Sequence, residues 1–252
     1  LKPDKAIDMS NKSIHLKVKL EKDNLLSFPL ATLGTAYRNK FQYGKAIENY
    51  KKAIGKFSRD KNDYQKGRTL ILLTRCFCDM GMVDQSSNYL KQGQDICTQF
   101  NEPLIMGRIK NYEADINLLQ KNYNKAINYF EESLKLFRDG ELRKPSAEIM
   151  LEMMRVHIIF DRPDKLEALK IKYEGMLQKL ASSSKPDTLI GCIDYYMNSH
   201  IDSPKQIEIH EIEEAISGIS ISESKYLAWW LLAKSAGNSG MLKGKKIIMV
   251  MR

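Results

Sequence analysis

The chain has 252 residues, 43% hydrophobic and 28% charged, with a formal net charge of +9. Those fractions suit a soluble protein with an apolar core, and no run approaches the ~18 uninterrupted apolar residues of a spanning helix. Behind the charges of Leu1–Lys5 there is no apolar signal region, and without an initiator Met the sequence reads as a piece of a longer polypeptide. The charge is uneven: residues 1–60 hold 13 Lys and Arg against six Asp and Glu. Such an excess suits an acidic partner or nucleic acid. Scattered lysines, rather than clustered arginines, read instead as a solvated helix face, so nucleic acid is the alternative partner and not the leading one.

In chain order, the first signal is Ala6, which stands forty residues before Ala46. It reads as the second helix of a repeat whose first helix is absent, over 1–25. Three clear repeats follow, at 26–65, 66–105 and 106–145. The first carries Leu33-Gly34-x-x-Tyr37 and then Tyr43-x-x-Ala46-x-x-x-Tyr50-x-x-Ala53. Forty residues on come Leu73-Thr74-x-x-Phe77 and Val83-x-x-Ser86-x-x-x-Leu90-x-x-Gly93, and forty further Tyr123-x-x-Ala126-x-x-x-Phe130-x-x-Ser133. Residues three and four apart share a helix face. Small and large side chains alternating at matched positions are what two interlocked helices need.

The register then weakens. A degenerate repeat over 146–182 places helices at Ser146–Ile159 and Lys165–Leu180 around Phe160-Asp-Arg-Pro-Asp164, with Pro163 near the second start. Met150, Met153 and Met154 fall on its first-helix stripe, where core packing is favoured over an adaptable binding surface. A weak repeat over 183–222 pairs Asp187–Ser199 with Pro204–Ile219, burying Ile207, Ile212 and Ile216. A truncated one over 223–252 begins with Trp229-x-x-Leu232-Ala233-x-x-Ala236 and stops in mid-repeat. A helical-repeat array ends in a polar capping helix, which Met249-Val-Met251 is not. The sequence therefore predicts that the array continues or self-associates through this end.

The order of these motifs resembles the tetratricopeptide repeat (TPR), whose usual period is about 34. Leu33, Gly34, Tyr37, Tyr43, Ala46, Tyr50 and Ala53 fall on its signature positions. A period of forty implies helices roughly one to two turns longer, as in the arrays of kinesin light chains, spindle-orientation adaptors, and bacterial signalling ATPases and transcription activators. The resemblance implies an all-α fold, a right-handed superhelical solenoid of antiparallel helix pairs, forming one array over 1–252.

It also implies a concave groove lined by the first helices. Carried onto this chain, the facing positions are Phe28, Ala31, Thr35 and Arg38; Arg68, Ile71, Leu72, Arg75 and Asp79; Arg108, Asn111, Tyr112 and Asp115; and Glu148, Leu151, Glu152 and Arg155. Of these, Arg38, Arg68, Arg75, Arg108, Asn111, Tyr112 and Arg155 are the candidate ligand-binding residues. Arginine forks suit carboxylate or phosphate, and Tyr112 would be a rigid anchor. The arginines could equally pair with Asp79, Asp115, Glu148 and Glu152. Family arrays that capture chaperone C-terminal carboxylates use a Lys and an Asn where this chain has Ala31 and Thr35, so that clamp is not expected here.

Nothing in the sequence points to catalysis. There is no Gly-rich phosphate loop, no G-x-S-x-G elbow and no H-E-x-x-H. The histidines at 15, 157, 200 and 210 are isolated, His157 on a core stripe. Cys76, Cys78, Cys97 and Cys192 form no C-x-x-C and have no His partners at zinc spacing, so no metal or cofactor is expected. They read as small apolar side chains of a reducing, cytoplasmic compartment. The expectation is an interaction scaffold for a protein or peptide ligand, the sensor or regulatory segment of a larger signalling protein. An intracellular receptor for short peptides, a nucleic-acid-binding module and a purely architectural spacer are the rivals.

Overall fold

A computed structural model describes residues 3–20, 25–160, 162, 164–169 and 171–172. Every regular element among them is helical: α1 (Pro3–Lys19), α2 (Ser27–Arg38), α3 (Tyr43–Arg59), α4 (Asp63–Asp79), α5 (Val83–Cys97), α6 (Pro103–Leu119), α7 (Tyr123–Asp139) and α8 (Arg143–Ile159). The helices expected at Asp187–Ser199, Pro204–Ile219 and from Trp229 onward lie outside the described residues, as do most of Lys165–Leu180, His200, His210 and Cys192. The chain divides into two units, 1–149 and 150–252.

The first unit is an all-α solenoid of helix pairs, in which α2 packs on α3, α4 on α5 and α6 on α7. Its cadence is finer than the forty-residue repeat. From α3 to α8 a helix begins every twenty residues, and a left-handed residue sits two positions before each start: Phe41, Lys61, Gly81, Asn101, Lys121 and Glu141. That residue lets the chain fold back on the helix it has just left. The next amide then caps a carbonyl five residues earlier, as in Gln42 N–H to Tyr37 O at 2.9 Å, Asn62 to Phe57 at 2.9 Å and Leu142 to Phe137 at 2.7 Å. This is the Schellman closure of a helix C-terminus, in which carbonyls that lack an intrahelical partner are satisfied. One junction differs. There α5 tightens into a 3₁₀ turn at Thr98–Phe100 before Pro103 opens α6.

Only Gly81 among the six left-handed residues avoids the Cβ penalty of about 1–2 kcal/mol. Lys121→Gly should therefore stabilise the fold by about 0.5–1 kcal/mol, because relief of strain exceeds the extra freedom Gly gives the unfolded chain. Chemical denaturation checks this, and a loss of stability would show that Lys121 is unstrained.

The stripes read from the sequence form the core. Ala46, Tyr50 and Ala53 on α3 and Ala126, Phe130 and Ser133 on α7 are fully buried. Burying each of the large rings contributes about 2–3 kcal/mol. Tyr50 also finds a partner for its hydroxyl, 3.0 Å from Thr35 Oγ1 on α2. The helices meet at small residues: a Cβ on Gly34 would lie 2.6 Å from the Tyr50 ring, and one on Gly67 2.5 Å from Cys97 Sγ. Gly107, forty residues after Gly67, lies against the Phe137 ring, and its carbonyl accepts a 2.7 Å bond from Ser133 Oγ.

In the second unit, Met150, Met153, Met154, Val156, Leu166 and Leu169 are buried. The methionines are therefore core residues. His157 is buried too, and burial, with Arg162 and Lys165 opposing its charge and Asp164 favouring it, holds its pKa below the usual histidine value. The unfolded chain thus takes up the proton first as pH falls. Stability contributed by neutral His157 is complete above about pH 6.5 and is lost below it. Denaturation at pH 7.5 and 5.5 should show a drop that His157→Gln reduces; an identical drop in the variant would remove His157 as the cause.

Candidate functional site

The first helices α2, α4 and α6 bring together residues forty apart in sequence. Arg38 Nε donates to Asp79 Oδ2 at 2.9 Å, Arg75 Nε to Asp79 Oδ1 at 2.8 Å, and Arg75 Nη1 to Asp115 Oδ2 at 2.7 Å. Cation and carboxylate alternate across three helices, with side chains only 10–18% exposed. Partial burial strengthens each contact, and the shared carboxylates leave neither arginine as a lone buried charge. Arg75 also lies 5.9 Å from the Tyr112 ring centroid. Tyr112 is not a free anchor. It is 7% exposed and packs with Ile71, Ile105, Ile109 and Ile116. Burial raises its pKa, while Arg75, Arg38 and Arg108 pull the other way.

At the other end of the same helices the pattern changes. Arg68 reaches only Gln65 Oε1, at a long 3.5 Å, and lies 5.5 Å from the Tyr64 ring centroid. Arg108 makes no ion pair or hydrogen bond among the described residues. Both arginines line one depression, together with Ile71, Leu72, Leu104 and Ile105. The carboxylate nearest in sequence to Arg108 on this side, Glu102, accepts a hydrogen bond from Tyr64 Oη, and that bond is the main reason the Tyr64 pKa rises. Asn111, one turn on from Arg108, has a buried Oδ1 with no hydrogen-bond partner among the described residues. Leaving such an acceptor unmet costs about 1–3 kcal/mol unless water or a ligand donor supplies the bond.

The sequence-predicted residues are thus placed differently. Arg38 and Arg75 join the ion-pair ladder. Arg68 and Arg108 line the open depression of α4 and α6, and Asn111 buries its Oδ1 one turn on from Arg108. Arg155 lies in the second unit, where Nη2 meets Glu152 Oε2 at 2.6 Å within α8. Leu104 and Ile105, absent from the predicted set, line the depression; the signal that would have found them is their spacing of four and three residues before Arg108, on the same helix face. Cys76, Cys78 and Cys97 are buried, which pushes their thiols up to about 12, 12 and 11, away from reactive thiolate. Among the described residues no cluster of His, Cys, Asp or Glu could hold a metal ion, and no helix is long and apolar enough to cross a membrane.

A family model described as tetratricopeptide repeat matches residues 30–55 and 113–139, which fall on α2–α3 and α6–α7. The chain carries tetratricopeptide repeats. Similar solved structures share the fold. Aspartyl phosphate phosphatase F from Bacillus subtilis superposes with a TM-score of 0.68 at 16% identity, over 89% of this chain and 58% of that one. A Rap protein complexed with Competence and Sporulation Factor gives a TM-score of 0.72 at 12% identity, over 98% of this chain and 71% of that one. BtubC from P. vanneervenii gives 0.54 at 14% identity, over 100% and 92%. This TPR chain therefore spans less than two thirds of the first of these proteins. No curated protein sequence matches it significantly.

Between the two matched segments lies the α4–α5 pair, where Thr74, Ser86 and Gly93 replace the residues found at those positions in the first repeat. The TPR geometry is kept there by other means: Gly67 and Gly93 bring the helices together, with a Gly93 Cβ placed 3.2 Å from Gly67 O.

Proposed function

We propose that this TPR chain is a protein-interaction scaffold that holds a protein or peptide ligand against α4 and α6, as the sensor or regulatory segment of a larger cytoplasmic signalling protein. It acts by binding and not by catalysis. The observation that carries this reading is the division among the groove arginines. Arg38 and Arg75 are neutralised by Asp79 and Asp115, whereas Arg68 and Arg108 stand without an ion pair among the described residues, beside an apolar surface. The repeats support the scaffold class, and the structure of the Rap protein with its bound factor supports a ligand on this fold. The forty-residue register supports a single array continuing through 146–182, 183–222 and 223–252.

Selection of a random twelve-residue peptide library on the immobilised 252-residue chain tests this. Enriched peptides should bind one to one and slow amide exchange in α4 and α6. No enrichment, or protection confined to other helices, would overturn the reading.

A further inference from the structure

Arg68 and Arg108 bring two like charges to one depression, and both residues are half-buried. On the same helices the chain supplies aspartates a few turns further along, at Asp79 and Asp115, where Arg38 and Arg75 use them. It supplies none at the level of Arg68 and Arg108. Of the four arginines on α2, α4 and α6 that face the groove, the two that flank apolar side chains are the two left without a carboxylate among the described residues. An arginine pair in that state is a receptor for an anion, because a planar fork binds a carboxylate through two parallel hydrogen bonds that strengthen where water is scarce.

The shape narrows the ligand further. The depression is open and shallow, with only about 20 Å³ of enclosed space. That is far below the roughly 300–1,000 Å³ of pockets that engulf a small molecule. It suits a side chain lying across the surface and not one inserted into a cavity. Its floor is Ile71 and Ile105, both buried, and Leu72 and Leu104 stand half-exposed at the rim. A ligand that satisfies both arginines must lay aliphatic surface on these four side chains while presenting its charge to the sides. Nucleic acid fits poorly, since its affinity comes from many phosphate contacts and not from two.

Resting on the function proposed above, we infer that Arg68 and Arg108 form a subsite for an Asp or Glu side chain of a bound peptide, with an aliphatic residue beside it on Leu72 and Leu104. Arg68 and Arg108 sit at the same register position of successive repeats, so one acidic side chain is shared between two repeats and ties their first helices together when the ligand is in place.

The peptides enriched by the selection described above give the test. They should carry Asp or Glu next to Leu, Ile or Val. Acid-to-amide replacement in a selected peptide should weaken binding at least tenfold, and so should Arg68→Gln or Arg108→Gln in the protein. Neither arginine has an ion pair to lose among the described residues, so the variants should keep the wild-type circular dichroism and melting temperature. Arg108→Glu should reject the acidic peptide and bind its Glu→Lys counterpart, a charge swap that a merely structural role would not produce. A phosphoserine in place of the acid distinguishes carboxylate from phosphate, and tighter binding of the phosphopeptide would overturn the carboxylate assignment. Enriched peptides with no acidic preference, or binding unchanged in both Gln variants, would overturn the subsite while leaving peptide binding intact. Failure to enrich any peptide would overturn the function itself. Retention of a random oligonucleotide that competes with the selected peptide would replace the peptide ligand by nucleic acid.

Discussion

Replacing Asp79 with alanine lowers the stability of the fold by about 3 kcal/mol, the largest effect expected of any single polar substitution in the first unit. Asp79 accepts from Arg38 on α2 through one oxygen and from Arg75 on its own helix through the other, and the three side chains are only 16–18% exposed. Its removal takes one carboxylate from both guanidiniums at once, while Arg75 keeps its bond to Asp115. Deleting one partner of a fully buried pair costs about 3–5 kcal/mol, and the remaining exposure here puts the effect at the lower end. For a chain of this size the melting temperature should fall by roughly 6–12 °C. Asp79→Asn should cost less, since the amide oxygen still accepts a bond. Adding Arg38→Gln to Asp79→Ala should restore part of the loss by removing a half-buried charge that has lost its carboxylate at Asp79. A loss below about 1 kcal/mol for Asp79→Ala would mean that the ladder behaves as an exposed ion pair.

Gly107→Ala should cost about 2–3 kcal/mol, against the usual sense of that substitution. Inside an exposed helix, alanine gains about 0.5–1 kcal/mol over glycine by restricting the unfolded chain. At Gly107 the added methyl would land on the Phe137 ring, a fully buried side chain with no room to turn. It would also push α6 from α7 where Ser133 Oγ bonds Gly107 O. Gly55 on α3 is the control, because a Cβ there meets nothing within 4 Å. Gly55→Ala should stabilise the protein by about 0.5–1 kcal/mol, so the two variants should move in opposite directions in the same denaturation experiment. Equal effects at both positions would sink the close-approach argument.

These two cases show where the legible part of the chain stops. Tyr50, Phe130 and their small neighbours were readable because an apolar stripe is a local property: its spacing along one helix is set by 3.6 residues per turn. Gly34 could be read in the same way as the small partner of a ring. Gly67 and Gly107 carried no such motif around them, and their role depends on Cys97 and Phe137, thirty residues further along. The groove arginines could be placed on first helices by register, but the sequence left open which of them faced a ligand and which paired internally. Arg75 has Asp79 four residues away and Asp115 forty away. Arg108 has Asp115 seven away, on the same helix, yet makes no pair with it. Tyr112 occupied a groove position in the register and packed into the core instead, because Ile71, Ile105 and Ile109 close around it.

By itself, then, the amino-acid sequence determined the all-α class, the forty-residue unit and the stripes that make each pair of helices bury a common face. Repeated apolar spacing leaves no other way to hide that surface from water. Only the tertiary structure decided the rest. It divided the unit into steps of twenty closed by left-handed residues, which five non-glycine side chains adopt and no local signature announces. It also joined Arg38, Asp79, Arg75 and Asp115 while leaving Arg68 and Arg108 unpaired among the described residues. The physical reason is one of range. Burial acts along a single helix and leaves a periodic trace, whereas an ion pair forms only if stacking brings two charges within about 3–4 Å, and neither the sequence distance nor the residue types record that.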